Sequence, residues 1–122
     1  MKKNLLFICF IFFLAFFAQA QTNLVPNPSF EIHDTCPDGA GQIQYAVPWY
    51  SPTNASPYYF NSCASSSTGI SVPQNFAGNQ NAKTGNGYVG FGLYVVGINY
   101  REYIQAPLIS SLIANKTYCV QF

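Results

Sequence analysis

Tyr88-Val89-Gly90-Phe91-Gly92-Leu93-Tyr94-Val95 is the clearest structural signal in the chain. Successive side chains of a strand point to opposite faces, so Val89, Phe91, Leu93 and Val95 share one face. Tyr88, Gly90, Gly92 and Tyr94 share the other, where the two glycines leave room for a close approach to the backbone. Asn86-Gly87, just upstream, is the dipeptide of tight hairpin turns. Downstream, Tyr100 to Gln105 reads as another strand, closed by Pro107, while Leu108 to Ile113 has no clear period. Asn115-Lys116 then turns the chain into Thr117-Tyr118-Cys119-Val120-Gln121-Phe122, with Tyr118, Val120 and Phe122 expected to face the core. A strand ending there would leave an open edge. The domain, residues 21–122, is therefore expected to continue past Phe122.

Upstream, Ser29-Phe30-Glu31-Ile32 and Gln42-Ile43-Gln44-Tyr45-Ala46-Val47 alternate polar and apolar residues, as strands do. Pro26 and Pro28 suit an edge strand, and Asp34 to Gly41 is turn chemistry throughout. Residues 48–76 are loop-rich, with four prolines and the Ser65-Ser66-Ser67 cluster. The expected class is all-β, an antiparallel β-sandwich.

The N-terminus specifies export. Lys2 and Lys3 precede an uncharged, overwhelmingly apolar run from Leu5 to Phe17, and Ala18-Gln19-Ala20 supplies a small-x-small cleavage site before Gln21. The run is short for a membrane span, which takes about 20 apolar residues, and polar Gln19, Gln21, Thr22 and Asn23 end it. Cys9 lies inside the run rather than after the cut, which rules out a lipoprotein signal. Residues 1–20 are read as a cleaved signal peptide, and the mature chain, without a transmembrane segment, as secreted or held at the cell surface. It keeps Lys83, Arg101 and Lys116 against Glu31, Asp34, Asp38 and Glu102, a formal net charge of −1. That charge excludes nucleic acid as a partner, because a phosphate backbone needs several clustered cations.

Three cysteines follow the leader: Cys36, Cys63 and Cys119. Cys36 and Cys63 both sit in Pro/Ser-rich loop sequence and are expected to pair; three reduced, buried thiols are the alternative reading. Closing a loop of about 28 residues stabilises a fold by roughly 3.5 kcal/mol on the chain-entropy model. Cys119 is left free, intermolecular, or partnered beyond residue 122.

Catalysis needs convergent titratable groups, and few exist here. His33 is the only histidine. There is no Gly-x-Ser-x-Gly, no His-Glu-x-x-His and no Cys-x-x-Cys. Gly78-Asn79-Gln80-Asn81-Ala82-Lys83-Thr84 resembles a phosphate loop but is one residue short, and it leads into a strand where a helix is required. Asp34-Thr35-Cys36-Pro37-Asp38-Gly39 resembles an EF-hand start, with Cys36 and Tyr45 at ligand positions that need oxygen. No catalytic residues are expected.

Two weaker signals remain. Trp49, Tyr50, Tyr58, Tyr59 and Phe60 collect in the loop region. Exposed, such rings stack on the apolar faces of sugars; buried, they plug the core. Trp49, Tyr50, Tyr58 and Tyr59 are the candidate ligand-binding residues. Glu31 is either a solvated residue of the first strand or an oxygen ligand for a structural calcium ion, the one cofactor under consideration.

Asn23-Leu24-Val25-Pro26-Asn27-Pro28-Ser29-Phe30-Glu31 resembles the opening strand of galactose-binding-like jelly rolls, the fold of many carbohydrate-binding modules. Residues 47–57, 78–91 and 100–122 extend the likeness to an N-terminal domain of secreted and surface proteins of Bacteroidetes. The resemblance implies a jelly roll whose closing acidic strand is absent here, and a calcium held between Glu31 and that strand. It also implies downstream OmpA-like peptidoglycan-binding domains or a type IX secretion tail. This chain departs from the family at Tyr58, where an acid is expected, and at Asn115, where glycine is usual. The function expected is a non-catalytic extracellular binding or adhesion module, with glycan or cell-wall components as partners. The alternatives are a structural spacer and an ancillary domain of a secreted hydrolase.

Overall fold

The computed structural model describes residues 22–94 and 96–121. The expected leader, residues 1–20, lies outside them, as do Val95 and Phe122 of the expected strands. Among the described residues the strands pair only in antiparallel fashion, in two small sheets, and the two helical elements are single 3₁₀ turns. The chain is mostly β with long irregular connections. No helix among the described residues is long and apolar enough to cross a membrane.

The central sheet joins β1 (Tyr58–Asn61) to β4 (Gly87–Gly90), with Tyr59 opposite Val89 and Phe60 opposite Tyr88. The connection between them carries a smaller hairpin, β2 (Gln74–Asn75) with β3 (Gly78–Asn79). Period-two alternation along β1 gives each face of the central sheet its own core. Tyr59 packs with Ile43 and Ala46 on one side, bordered by Phe30, Trp49, Val89 and Ile104. Phe60 packs with Ala64 and Ile70 on the other, bordered by Tyr58, Val72 and Tyr88. The close approach expected at the glycines of the 88–95 stretch occurs at Gly90: a Cβ there would sit 2.8 Å from the Phe60 ring.

Several predicted strands are shorter or absent. The 88–95 strand ends at Gly90, and Phe91, Leu93 and Tyr94 are exposed. Its partner ends first, because beyond Tyr58 the next β1 position is Pro57, which has no N–H to give. Ser29 to Ile32 is no strand: the chain turns over Asn27 to Phe30, closed by the Phe30 N–H donating to Asn27 O at 3.1 Å, and runs on irregularly through Ile32. Asn27 and Phe30 both take left-handed φ values (42° and 58°), so Phe30 packs inward while Ile32 is exposed. The Asn27 side chain enforces this: its amide donates to the carbonyls of Ile32 and Val47, both at 2.8 Å, and its oxygen accepts the Ile32 N–H. A side chain that supplies these partners removes the need for a ladder.

The segment 42–47 forms a 3₁₀ turn at Ile43–Tyr45, burying Ile43 and Ala46, three apart, in place of the alternating set. Tyr100 to Gln105 contributes one antiparallel bridge, Gln105 to Tyr50. Residues 117–121 form no strand; Tyr118 and Val120 face outward. Asn115, where glycine is usual in the resembled family, adopts φ 62°, a conformation asparagine tolerates well. Conversely, the loop-rich 48–76 region contains β1, the most deeply buried strand.

Cys36 and Cys63 form the expected disulfide, with a sequence separation of 27, and Cys119 is free and exposed. The bridge ties the turn region after Glu31 to the residues just past β1.

Candidate functional site

Phe76 and Ala77 form the tip of the β2–β3 hairpin. The Phe76 N–H donates to the Gly69 carbonyl at 2.8 Å, folding the tip back over the second core. There the Phe76 ring meets Tyr58 edge-on at 4.9 Å and Phe60 at 5.7 Å, while Phe60 meets Tyr88 at 5.0 Å. The four rings make an aromatic cluster whose outermost member, Phe76, stays 60% exposed. Gln74 and Asn79, opposed across the hairpin, lie beside it. Asn75 is fixed from within: its amide donates to Ser71 O and to the Tyr88 hydroxyl, and its oxygen accepts the Ala77 N–H. Together with Ser66, Gly69 and Gly78 these residues line an open cleft of about 560 Å³. An exposed ring flanked by amides, on a braced base, can stack on an apolar ligand face and hydrogen-bond its rim.

The four predicted ligand-binding residues are not gathered together. Tyr59 is fully buried, and its hydroxyl donates to Phe30 O while accepting from the Asn61 amide, both at 2.7 Å. Trp49 stacks on Phe30 at 5.1 Å and spends its indole N–H on Asn27 O. Tyr59 presents no free face, and Trp49 is half-buried at the border of the first core. Tyr50 is exposed on its bridge to Gln105, away from the hairpin. Tyr58 alone belongs to the aromatic cluster. Phe76 escaped the sequence reading because it lies in the loop-rich stretch, although a lone aromatic among Gln74, Asn75 and Asn79 is a legible signal.

Glu31 holds the turn ahead of β4. Its Oε1 accepts the N–H groups of Asn86 (2.7 Å) and Gly87 (2.9 Å), and its Oε2 the Asn86 amide (3.1 Å). Three hydrogens aimed at one carboxylate make an anion cradle. Calcium takes six to eight oxygens, and this donor set does not fit it. Partial burial pushes the Glu31 pKa up, but the Asn86 and Gly87 N–H groups, the Asn86 amide and nearby His33 outweigh it, so the net shift is downward. A carboxylate with a depressed folded pKa stabilises the fold above its unfolded pKa of about 4.3 and loses that contribution as pH falls through the folded value. The stability gap between the parent and Glu31→Gln should therefore narrow as urea titrations move from about pH 5 to pH 3. A gap independent of pH would disprove the clamp.

Glu102, which the sequence marks only as one of four acids, plays a matching part. It is 4% exposed, and its carboxylate accepts Gly92 N–H (2.6 Å), Ser56 N–H (3.3 Å) and the Tyr100 hydroxyl (3.1 Å). Both glutamates are thus engaged by backbone donors, and no buried side-chain nitrogen or oxygen among the described residues lacks a partner.

No family model, curated protein or solved structure matches the chain. The resemblance to galactose-binding-like domains rests on residues 23–31, 47–57, 78–91 and 100–122.

Proposed function

We propose that this chain is a non-catalytic, exported binding module that recognises a glycan through the Phe76 hairpin. The observation that carries the proposal is the 60% exposed Phe76 ring, braced by Tyr58 and Phe60 and flanked by Gln74 and Asn79. A sugar ring offers an apolar face for stacking and hydroxyls for amides, and the pattern here meets both with uncharged groups. The engagement of Glu31 and Glu102 by backbone N–H donors supports a binding role over a hydrolytic one, since glycoside hydrolysis uses two carboxyl groups flanking one bond. The disulfide and the predicted leader fit export, where disulfides persist. The jelly-roll architecture and cell-surface setting remain part of this reading, on the strength of the sequence resemblance.

Glycan-array binding followed by titration tests it. Phe76→Ala should weaken binding about tenfold, the equivalent of one aromatic contact, with near-ultraviolet circular dichroism otherwise preserved. Equal affinity of the parent and the variant for every bound glycan would remove the site from consideration. Clean folding with no glycan bound would favour the spacer role.

A further inference from the structure

Three metal-capable side chains converge beside the disulfide. His33 Nε2 lies 3.8 Å from Cys63 Sγ, and the ligand atoms of His33, Cys36 and Cys63 all fall within 4.8 Å of one another. His33 and Cys36 come from the turn region after Glu31, and Cys63 from just past β1. The imidazole is also aimed. Its Nδ1 sits 3.0 Å from the Glu31 carbonyl. A carbonyl oxygen only accepts, so Nδ1 carries the hydrogen and Nε2 turns its lone pair toward the sulfurs. Metal-binding histidines are held in this way, with the other ring N–H donated to a carbonyl or carboxylate. The Glu31 carboxylate is itself fixed by Asn86 and Gly87, which steadies the residue that positions the ring.

With the sulfurs bonded to each other, neither is a thiolate ligand. We propose that reduction of Cys36–Cys63 converts this corner into a three-ligand site for a thiophilic divalent cation, with Zn²⁺ the best fit. A dithiol supplies two electrons and two protons, is oxidised to its own disulfide, and leaves two cysteine thiols; Zn²⁺ binding then releases the two thiol protons to solvent. Tetrahedral zinc, with bonds of about 2.3 Å to sulfur and 2.0–2.1 Å to nitrogen, places sulfur about 3.6 Å from nitrogen and the sulfurs about 3.8 Å apart. The nitrogen–sulfur spacing is nearly met, and rotation of the cysteine side chains separates the sulfurs over a Cα–Cα distance of 5.8 Å. His33 and Cys63 are exposed, so water can fill the fourth position. The metal replaces the covalent tie between the same two loops, so oxidation and metal loading exclude each other.

The test uses the full chain with Cys9→Ser and Cys119→Ser, which leaves Cys36 and Cys63 as its thiols. Co²⁺ is the optical probe, because thiolate ligation gives an intense charge-transfer band, and Zn²⁺ then displaces it. The phosphine-reduced chain should bind one equivalent of Co²⁺ with that band, and the oxidised chain none. His33→Ala should weaken Zn²⁺ binding by about tenfold or more. Circular dichroism runs in parallel: a reduced chain that unfolds and is refolded by metal supports the proposal through coupled folding. A reduced chain, folded or unfolded, that gives no thiolate band with stoichiometric Co²⁺ overturns it. So does unchanged Zn²⁺ affinity in His33→Ala.

Discussion

Tyr59→Ala should lower the stability of the chain by about 3–5 kcal/mol, the cost of deleting a large, fully buried aromatic ring. Small domains hold only about 5–15 kcal/mol in total, so the variant should sit near or beyond its unfolding midpoint at 37 °C. Tyr59 is the largest fully buried side chain among the described residues, and it joins three parts of the molecule. Its backbone pairs with Val89, its ring fills the core with Ile43 and Ala46, and its hydroxyl holds the left-handed Phe30 in place. Tyr59→Phe separates these roles. It keeps the ring and leaves Phe30 O and the Asn61 amide short of a partner, for about 1–3 kcal/mol. Burial, opposed by the Asn61 amide and reinforced by the Glu31 charge, raises the Tyr59 pKa. A phenol with a raised folded pKa contributes fully below its unfolded value near 10, and that contribution fades as pH climbs through the folded value. The parent should thus lose stability above about pH 10 faster than Tyr59→Phe. Urea unfolding at neutral and alkaline pH reads both effects; a Tyr59→Ala chain within about 1 kcal/mol of the parent would contradict the assigned core.

Gly85→Ala should be nearly as damaging, at about 2–4 kcal/mol. Gly85 has φ 67°, and a left-handed residue with a Cβ costs roughly 1–2 kcal/mol. The added Cβ would also fall 2.3 Å from the Glu31 carboxyl carbon. The carboxylate must then leave the Asn86 and Gly87 N–H groups, a loss kept modest by the partial exposure of Glu31. A double-mutant cycle isolates that second component. With Glu31→Ala already in place there is no carboxylate to displace, so Gly85→Ala should cost only the backbone penalty. The expected coupling is about 1–2 kcal/mol. Costs that add to within about 0.5 kcal/mol would show that the carboxylate and the turn are energetically independent.

The sequence was informative wherever the signal was local. Alternation at Tyr88-Val89-Gly90, the turn chemistry of Asp34 to Gly41, and the placement of Cys36 and Cys63 in loop-like text each pointed to what the structure contains. It misled wherever one side chain from elsewhere replaces a ladder. The Asn27 side chain satisfies both backbone groups of Ile32 and the carbonyl of Val47, which turns an apparently alternating strand into a bend. Pro57 stops β1 and, through pairing, stops β4 as well, an effect invisible from residues 88–95. The ring cluster under Phe76 joins residues from β1, β2–β3 and β4, so no window of the sequence displays it.

Residue order by itself therefore determined the mostly-β class, the disulfide and the scarcity of titratable groups. These follow from composition and nearest-neighbour chemistry, which need no knowledge of who meets whom. Only the tertiary structure decided that Tyr59 lies inside with Trp49 packed at its border, that Phe76 stands outside, and that Glu31 and Glu102 hold backbone N–H groups. Each of those outcomes depends on partners up to 56 residues apart, and exposure is a property of the assembled surface that a period-two pattern cannot encode.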